Sequence, residues 1–165
     1  MEDDSLMGQE AHKFGRFFEE FSEGDVFRHQ LGKTIQESDN NLFCLLTMNH
    51  HPVHLDDVYA KSAQHGEILV VGTLVFSLVV GMTVGDISGR AIANLEYQGI
   101  KHLLPVHVGD TIHAETTVLE VKPSRSKTDR GTVKVCTVAH NQNHKAVLEF
   151  TRVLLVPKQS GAENV

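Results

Sequence analysis

The sequence predicts an α+β fold in which an antiparallel β-sheet covers one long buried element. Three observations carry this expectation. One apolar run, Ile68 to Val84, is the longest in the chain. About four strand-like segments follow it between Arg90 and Val156, and one precedes it, Val26 to Ile35. Elements segregated in this way, and not alternating strand by helix, point to a sheet with its helix on one face. At 165 residues the simplest division is one domain, 14–157, between flexible polar tails at 1–13 and 158–165.

Taken in order, Phe14, Phe17, Phe18 and Phe21 are interleaved with Arg16, Glu19 and Glu20, the pattern of a short amphipathic turn that packs aromatics onto the core or of a cover over a binding site. The turn Ser22–Asp25 leads into the strand Val26 to Ile35, with Gly32 as a bulge or bend. Residues 37–63 then form a helix, a turn fixed by Pro52, and a second helix. Ser38 and Asp39 are N-cap types, and Leu42, Phe43, Leu45 and Leu46 follow as an apolar face. Pro52 disfavours helical geometry at His51, so regular structure stops across Asn49–His51. Asp56 and Asp57 supply the acidic first turn of the next helix.

A break around Gly66 precedes Ile68 to Val84. The many valines of that run favour strand and its length favours a buried helix, so pattern alone leaves both open. After a turn at Gly85–Gly89, strands are expected at Ala91–Ile100, Thr111–Lys122, Thr132–Asn141 and Lys145–Val156, the last two joined as a hairpin. Pro123–Gly131 is a polar connection rich in positive charge.

The composition, 41% hydrophobic and 22% charged, is that of a soluble globular protein. A net charge of −6 argues against non-specific nucleic-acid binding. Cys44 and Cys136 are isolated, which gives neither a disulfide framework nor a zinc knuckle and fits a reducing, cytoplasmic setting. The acidic start MEDDS is not a secretory signal. Ile68 to Val84 is at the lower length limit for a membrane span, carries Gly72, Thr73, Ser77 and Gly81, and is followed at once by Gly85 and Asp86. A buried element of a soluble fold is therefore expected.

The densest cluster of proton-handling side chains is Asn49, His50, His51, His54, Asp56 and Asp57, on the connection between the two short helices. Connections braced by regular elements are common places for chemistry. The spacing of these histidines matches no established zinc motif, and no metal is expected. Asp56 and Asp57 have the pattern of helix-capping acids, and Cys44 that of a core cysteine.

The run Met48-Asn49-His50-His51-Pro52-Val53-His54 resembles the Gly-Asp-x-Asn-Pro-Leu-His signature of the MaoC-like dehydratases, the hot-dog-fold enoyl-CoA hydratases. Leu104-Pro105-Val106 to Gly109-Asp110-Thr111 is similar to the family's Pro-Val-x-x-Gly-Asp turn, and the resemblance extends from about Phe17 to Pro157. It implies a hot-dog fold with Ile68 to Val84 as the central helix, mostly helical from Gly72. Two positions depart from the signature: Asn49 stands where the family has its catalytic Asp, and His51 where it has Asn. The wider pattern Glu37-x-Asp39-Asn40-x-x-Phe43 with Leu46-Thr47-x-Asn49-x-x-Pro52-x-His54 resembles a subgroup that hydrates branched dicarboxylyl-CoA esters of the mesaconyl, β-methylmalyl and itaconyl type.

The resemblance implies a hydro-lyase acting on a short-chain 2-enoyl-CoA, with coenzyme A as part of the substrate, no separate cofactor, and assembly as a homodimer or higher homo-oligomer. Hydration of an enoyl thioester needs a base for water, a proton for the α-carbon and donors for the developing enolate oxygen. His54 is the expected base. The Asn49 amide is expected to hold the water or orient the imidazole, and Gly72 to offer its N–H at the start of the central helix. His51, Pro52 and Val71 are expected to line the substrate, and Arg125, Lys127 and Arg130 to meet coenzyme A phosphates. Arg28 or His29 is a candidate for a distal carboxylate. Thioester hydrolysis and non-catalytic acyl-thioester binding are the alternatives to hydration.

Overall fold

A computed structural model describes residues 14–160. A six-stranded antiparallel sheet, in the order β1-β4-β5-β6-β3 with β2 also on β4, curves around one helix. The strands are β1 (Val26–Arg28), β2 (Lys33–Thr34), β3 (Ala93–His102), β4 (Thr111–Pro123), β5 (Arg130–His140) and β6 (Ala146–Pro157). The helices are α1 (Glu37–Thr47), α2 (Asp57–Ser62) and α3 (Gly72–Met82).

Strict alternation on β4, β5 and β6 produces the wrapped sheet. Ile112, Ala114, Thr116 and Val118 on β4, Val133, Val135, Thr137 and Ala139 on β5, and Leu148, Phe150, Arg152 and Leu154 on β6 all point inward and are buried. Register shifts between Val118 and Glu120, and on β3 between Gln98 and Lys101, bend the strands around the helix. The open choice at Ile68 to Val84 resolves as an extended lead-in over 68–71 and a helix from Gly72, ending in a π-helical turn at Val84–Ser88. Val75 and Val79 of α3 are fully buried against Ile112, Ala114, Ala139 and Phe150. Full burial of such side chains contributes about 1.5–3 kcal/mol each. The ring of Phe76 meets Phe150 at 5.0 Å and Tyr97 at 5.2 Å, which fixes α3 over β6 and β3. Among the described residues, no helix is long and apolar enough to cross a membrane.

A second cluster, with Phe21, Ile87, Val118, Val133 and Leu154, fills the other end of the sheet, and Phe18 packs against it as the aromatic pattern predicts. Arg152 is wholly buried at the carboxyl end of α3, donating through Nη2 to Thr83 Oγ1 at 2.6 Å. A cation is favoured at that end of a helix, while burial pushes the guanidinium pKa below its ordinary value.

Three expectations need correction. The strand Val26 to Ile35 is two short strands, because His29 turns inward. Its Nδ1 donates to Asp86 at 2.8 Å and its Nε2 pairs with Thr116 Oγ1 at 2.8 Å. At Gly32 a Cβ would run into the His113 ring. Second, α1 is capped from Gln36: Asp39 is its third residue and accepts from the Gln36 N–H at 2.8 Å, so neither Ser38 nor Asp39 is the N-cap. Third, the buried face of α1 is Asn40 and Cys44, whereas Leu42, Leu45 and Leu46 are 58%, 66% and 74% exposed. The tail 1–13 lies outside the described residues. Of 158–165 only 158–160 are described, with the Lys158 N–H donating to the Asp129 carbonyl at 2.8 Å.

Candidate active site

The connection from α1 to α2 is built to end one helix and start another. Met48 adopts the left-handed conformation, φ 57°, and its N–H still bonds the Cys44 carbonyl. The Asn49 N–H reaches that same carbonyl at 3.1 Å, and the Asn49 side-chain oxygen accepts from the His51 N–H at 3.4 Å. Pro52–His54 form one 3₁₀ turn. His51 caps it, its Nδ1 accepting from the Val53 N–H at 3.2 Å, while Asp56 caps α2 by accepting from the Tyr59 N–H at 3.0 Å. His51 therefore braces the loop, and its ring stands edge-on to those of His54 and Tyr59, with centroids 6.1 Å away in each case.

His54 is held from several directions. Its backbone N–H donates to the His51 carbonyl at 3.0 Å, and its Nδ1 lies 2.8 Å from the Leu69 carbonyl. A carbonyl oxygen only accepts, so Nδ1 carries a proton, and the uncharged form of the ring with that tautomer has its lone pair on Nε2, which has no partner among the described residues. Leu69 begins the lead-in to α3. Its N–H bonds the Val53 carbonyl at 3.1 Å, it bridges to His107, and the Val70 N–H bonds the Val106 carbonyl at 2.9 Å. The 104–111 segment is locked in turn. The Asp110 carboxylate accepts from the His107 N–H at 2.9 Å, and Gly109 takes φ +95°, a conformation glycine adopts without strain. The two motif segments thus grip one strip of backbone, 69–71, whose Leu69 carbonyl holds the His54 ring and which leads directly into Gly72.

Asn40 is the clamp between these parts, a role that its place in the sequence does not announce. Fully buried, it donates through Nδ2 to the His54 carbonyl at 2.9 Å and accepts at Oδ1 from the Val71 N–H at 3.0 Å. It lies one turn before Cys44 on the helix face turned inward. Below it, burial raises the Cys44 thiol pKa. At the start of the same helix the Asp39 carboxyl lies below its ordinary range, chiefly through Lys33.

Helix α3 starts at Gly72 with no side-chain cap and no acid in its first turn. Its first N–H has no acceptor within the helix. A Cβ on residue 72 would lie 2.9 Å from Cε1 and Nε2 of His102, so the imidazole of His102 rests directly on this glycine. The contact joins residues thirty positions apart, and no local pattern announces it.

The structure therefore brings Asn49, His51, Pro52, His54, Val71 and Gly72 into one region. Arg125, Lys127 and Arg130 lie elsewhere, at the β4–β5 hairpin tip, about 40 Å along β4 from its Thr111 end at the strand rise. Arg130 there forms a two-pronged pair with Asp129, at 2.8 Å through both Nε and Nη2, which holds the Asp129 carboxyl down at about 2. His29 is committed to Asp86 and Thr116, and Arg28 is an exposed cation 3.7 Å from Glu115. Among the described residues, no three His, Cys, Asp or Glu side chains are grouped so as to hold a metal ion.

The model of the MaoC like domain matches residues 20–141. This chain belongs to the MaoC-like family. Within that family it is 36% identical over 148 residues to a mesaconyl-CoA hydratase of Cereibacter sphaeroides, a match covering 90% of this chain and 43% of that one. It is 30% identical over 141 residues to an (R)-specific enoyl-CoA hydratase of Rhodospirillum rubrum, covering 86% of this chain and 92% of that one. The chain thus spans less than half the length of the first relative and nearly all of the second. A Mycobacterium tuberculosis protein with a double hotdog fold superimposes with a TM-score of 0.79 at 23% identity, over 88% of this chain and 45% of that one. The sheet wrapped on α3 is the hot-dog fold of the MaoC-like proteins.

Proposed function

We propose that this MaoC-like chain adds water reversibly to the double bond of a short-chain 2-enoyl-CoA, and that its substrates include branched dicarboxylyl esters of the mesaconyl type. The observation that carries the proposal is the imidazole of His54, fixed through Nδ1 to the Leu69 carbonyl three residues before the uncapped start of α3, with Nε2 unpartnered among the described residues. Nε2 takes a proton from water as the oxygen bonds the β-carbon, and the π electrons move onto the thioester oxygen, which meets the Gly72 N–H. The imidazolium then returns a proton to the α-carbon and the carbonyl re-forms, so one water is added and the ring is restored. The Asn49 amide holds the water for attack. Side chains, backbone and water carry the reaction, with coenzyme A as part of the substrate.

The active unit in this proposal is a homodimer in a cytoplasmic setting, consistent with two free cysteines. Strand β3 is a sheet edge with Leu95 and Ile100 exposed, and Leu103 and Leu104 follow it, also exposed. A long apolar edge is a template for pairing with another strand. The test measures loss of the conjugated enoyl absorbance for crotonyl-, mesaconyl- and itaconyl-CoA, with release of free coenzyme A followed alongside. Turnover of a dicarboxylyl ester without thiol release is the expected result. Thiol release with the double bond intact would make the chain a thioesterase, and binding without either change would make it an acyl-thioester carrier.

A further inference from the structure

We propose that His102 is a second donor to the substrate's thioester oxygen, acting with the Gly72 N–H. The inference rests on the hydratase reading above and names a residue that neither motif segment contains. His102 closes β3, opposite Leu148 on β6, and the N–H of the next residue, Leu103, bonds the Val147 carbonyl at 2.8 Å, so the backbone beneath the imidazole is fixed. The ring leans on the first residue of α3, with Cε1 and Nε2 each 2.9 Å from the place a Cβ would take at position 72. Among the described residues the imidazole has no hydrogen-bond partner, although it sits beside a helix start that no side chain caps.

The distances allow one oxygen to meet both donors. A Cβ lies about 2.5 Å from its own amide nitrogen, so Nε2 of His102 is within about 5.4 Å of the Gly72 nitrogen. An oxygen accepting at about 2.9 Å from each of two donors spans donors up to about 5.8 Å apart. With its proton on Nε2, His102 donates from the β3 side while the helix donates from the other. The need is chemical: charge collects on the thioester oxygen as water adds, and a single N–H leaves one of its lone pairs unmet. Glycine at 72 then serves two ends, leaving the thioester room and letting the His102 ring approach.

The test uses butyryl-CoA labelled with ¹³C at the thioester carbonyl, which binds without a double bond to hydrate. Its carbonyl stretch is recorded by difference infrared spectroscopy on wild type, His102→Ala and His102→Gln, and hydration of crotonyl-CoA is measured on the same samples. The bound carbonyl stretch is expected to fall in wild type, to return partway toward the free value in His102→Ala, and to fall again in His102→Gln, which restores a donor. Hydration should lose about 10²–10³-fold in kcat in the alanine variant, the usual loss for one oxyanion donor, with KM nearly unchanged. A carbonyl stretch identical in wild type and His102→Ala overturns the proposal. So does a kcat loss that glutamine does not repair at all, since that marks a packing role. If wild type shifts the carbonyl through His102 yet hydrates nothing, the hydratase reading falls and the donor assignment stands.

Discussion

Asn40→Ala removes a side chain that bonds both the His54 turn and the lead-in to α3. Two contacts of ordinary length are lost, Nδ2 to the His54 carbonyl at 2.9 Å and the Val71 N–H to Oδ1 at 3.0 Å, while the 3.5 Å approach to the Leu69 carbonyl is too long to count for much. Alanine leaves the Val71 N–H buried without an acceptor and the His54 carbonyl without its donor. Each orphaned buried group costs about 1–3 kcal/mol. Val71 is buried and takes a full share, whereas His54 is only half-buried and water recovers part of its loss, so the sum is about 3 kcal/mol. For a chain of this size that lowers Tm by roughly 6–12 °C. Calorimetry measures the fall, and Cys44→Ala, one turn along the same buried face, controls for a general loosening of α1. The activity of Asn40→Ala should fall even at temperatures where the protein is fully folded, because both the imidazole and the helix start lose their shared anchor. Unchanged Tm and unchanged turnover would refute the clamp.

Other perturbations follow the same geometry. Gly72→Ala puts a methyl 2.9 Å from the His102 ring, and it should lower kcat while far-UV circular dichroism stays native. Arg130→Ala should let the Asp129 carboxyl rise from about 2 toward the ordinary value near 3.9, followed by NMR titration. Because the folded pKa is the depressed one, the pair's contribution is present above about pH 4 and lost as the pH falls toward 2. Leu95→Lys with Ile100→Lys should convert a dimer to a monomer in sedimentation velocity, and a pair that still sediments as a dimer would place the interface elsewhere. Cys44, buried and with its pKa raised, should react with iodoacetamide only after unfolding, as read by intact mass.

The strands were legible because alternation on β4, β5 and β6 is strict, and buried valines at period two have few other meanings. The helix of α3 was not legible from pattern, since an element apolar all round shows no period; the family resemblance placed its start at Gly72. Leu42, Leu45 and Leu46 misled in a definite way. Helical spacing shows that leucines share a face, yet within one chain the covered face belongs to Asn40 and Cys44. The break in Val26 to Ile35 was hidden because it depends on Asp86 and Thr116, which reach His29 from 57 and 87 positions away. At the site, His54 stands out as the candidate base because Pro52 and His54 keep the signature's spacing. The part Asn40 plays has no signal in the sequence, since a buried amide bonded to backbone leaves no compositional trace. His102 was invisible for the reason that makes it interesting: only the folded sheet sets it on Gly72.

The most direct measurement is hydration of enoyl-CoA by wild type and His54→Ala side by side, with binding of butyryl-CoA measured on both. The account predicts turnover by wild type, a loss of about 10²–10⁴-fold in kcat in the variant, as expected for removal of a general base, and ligand binding that survives. Equal turnover by the two proteins would contradict it, because the fixed imidazole with its free Nε2 would then have no part in the chemistry.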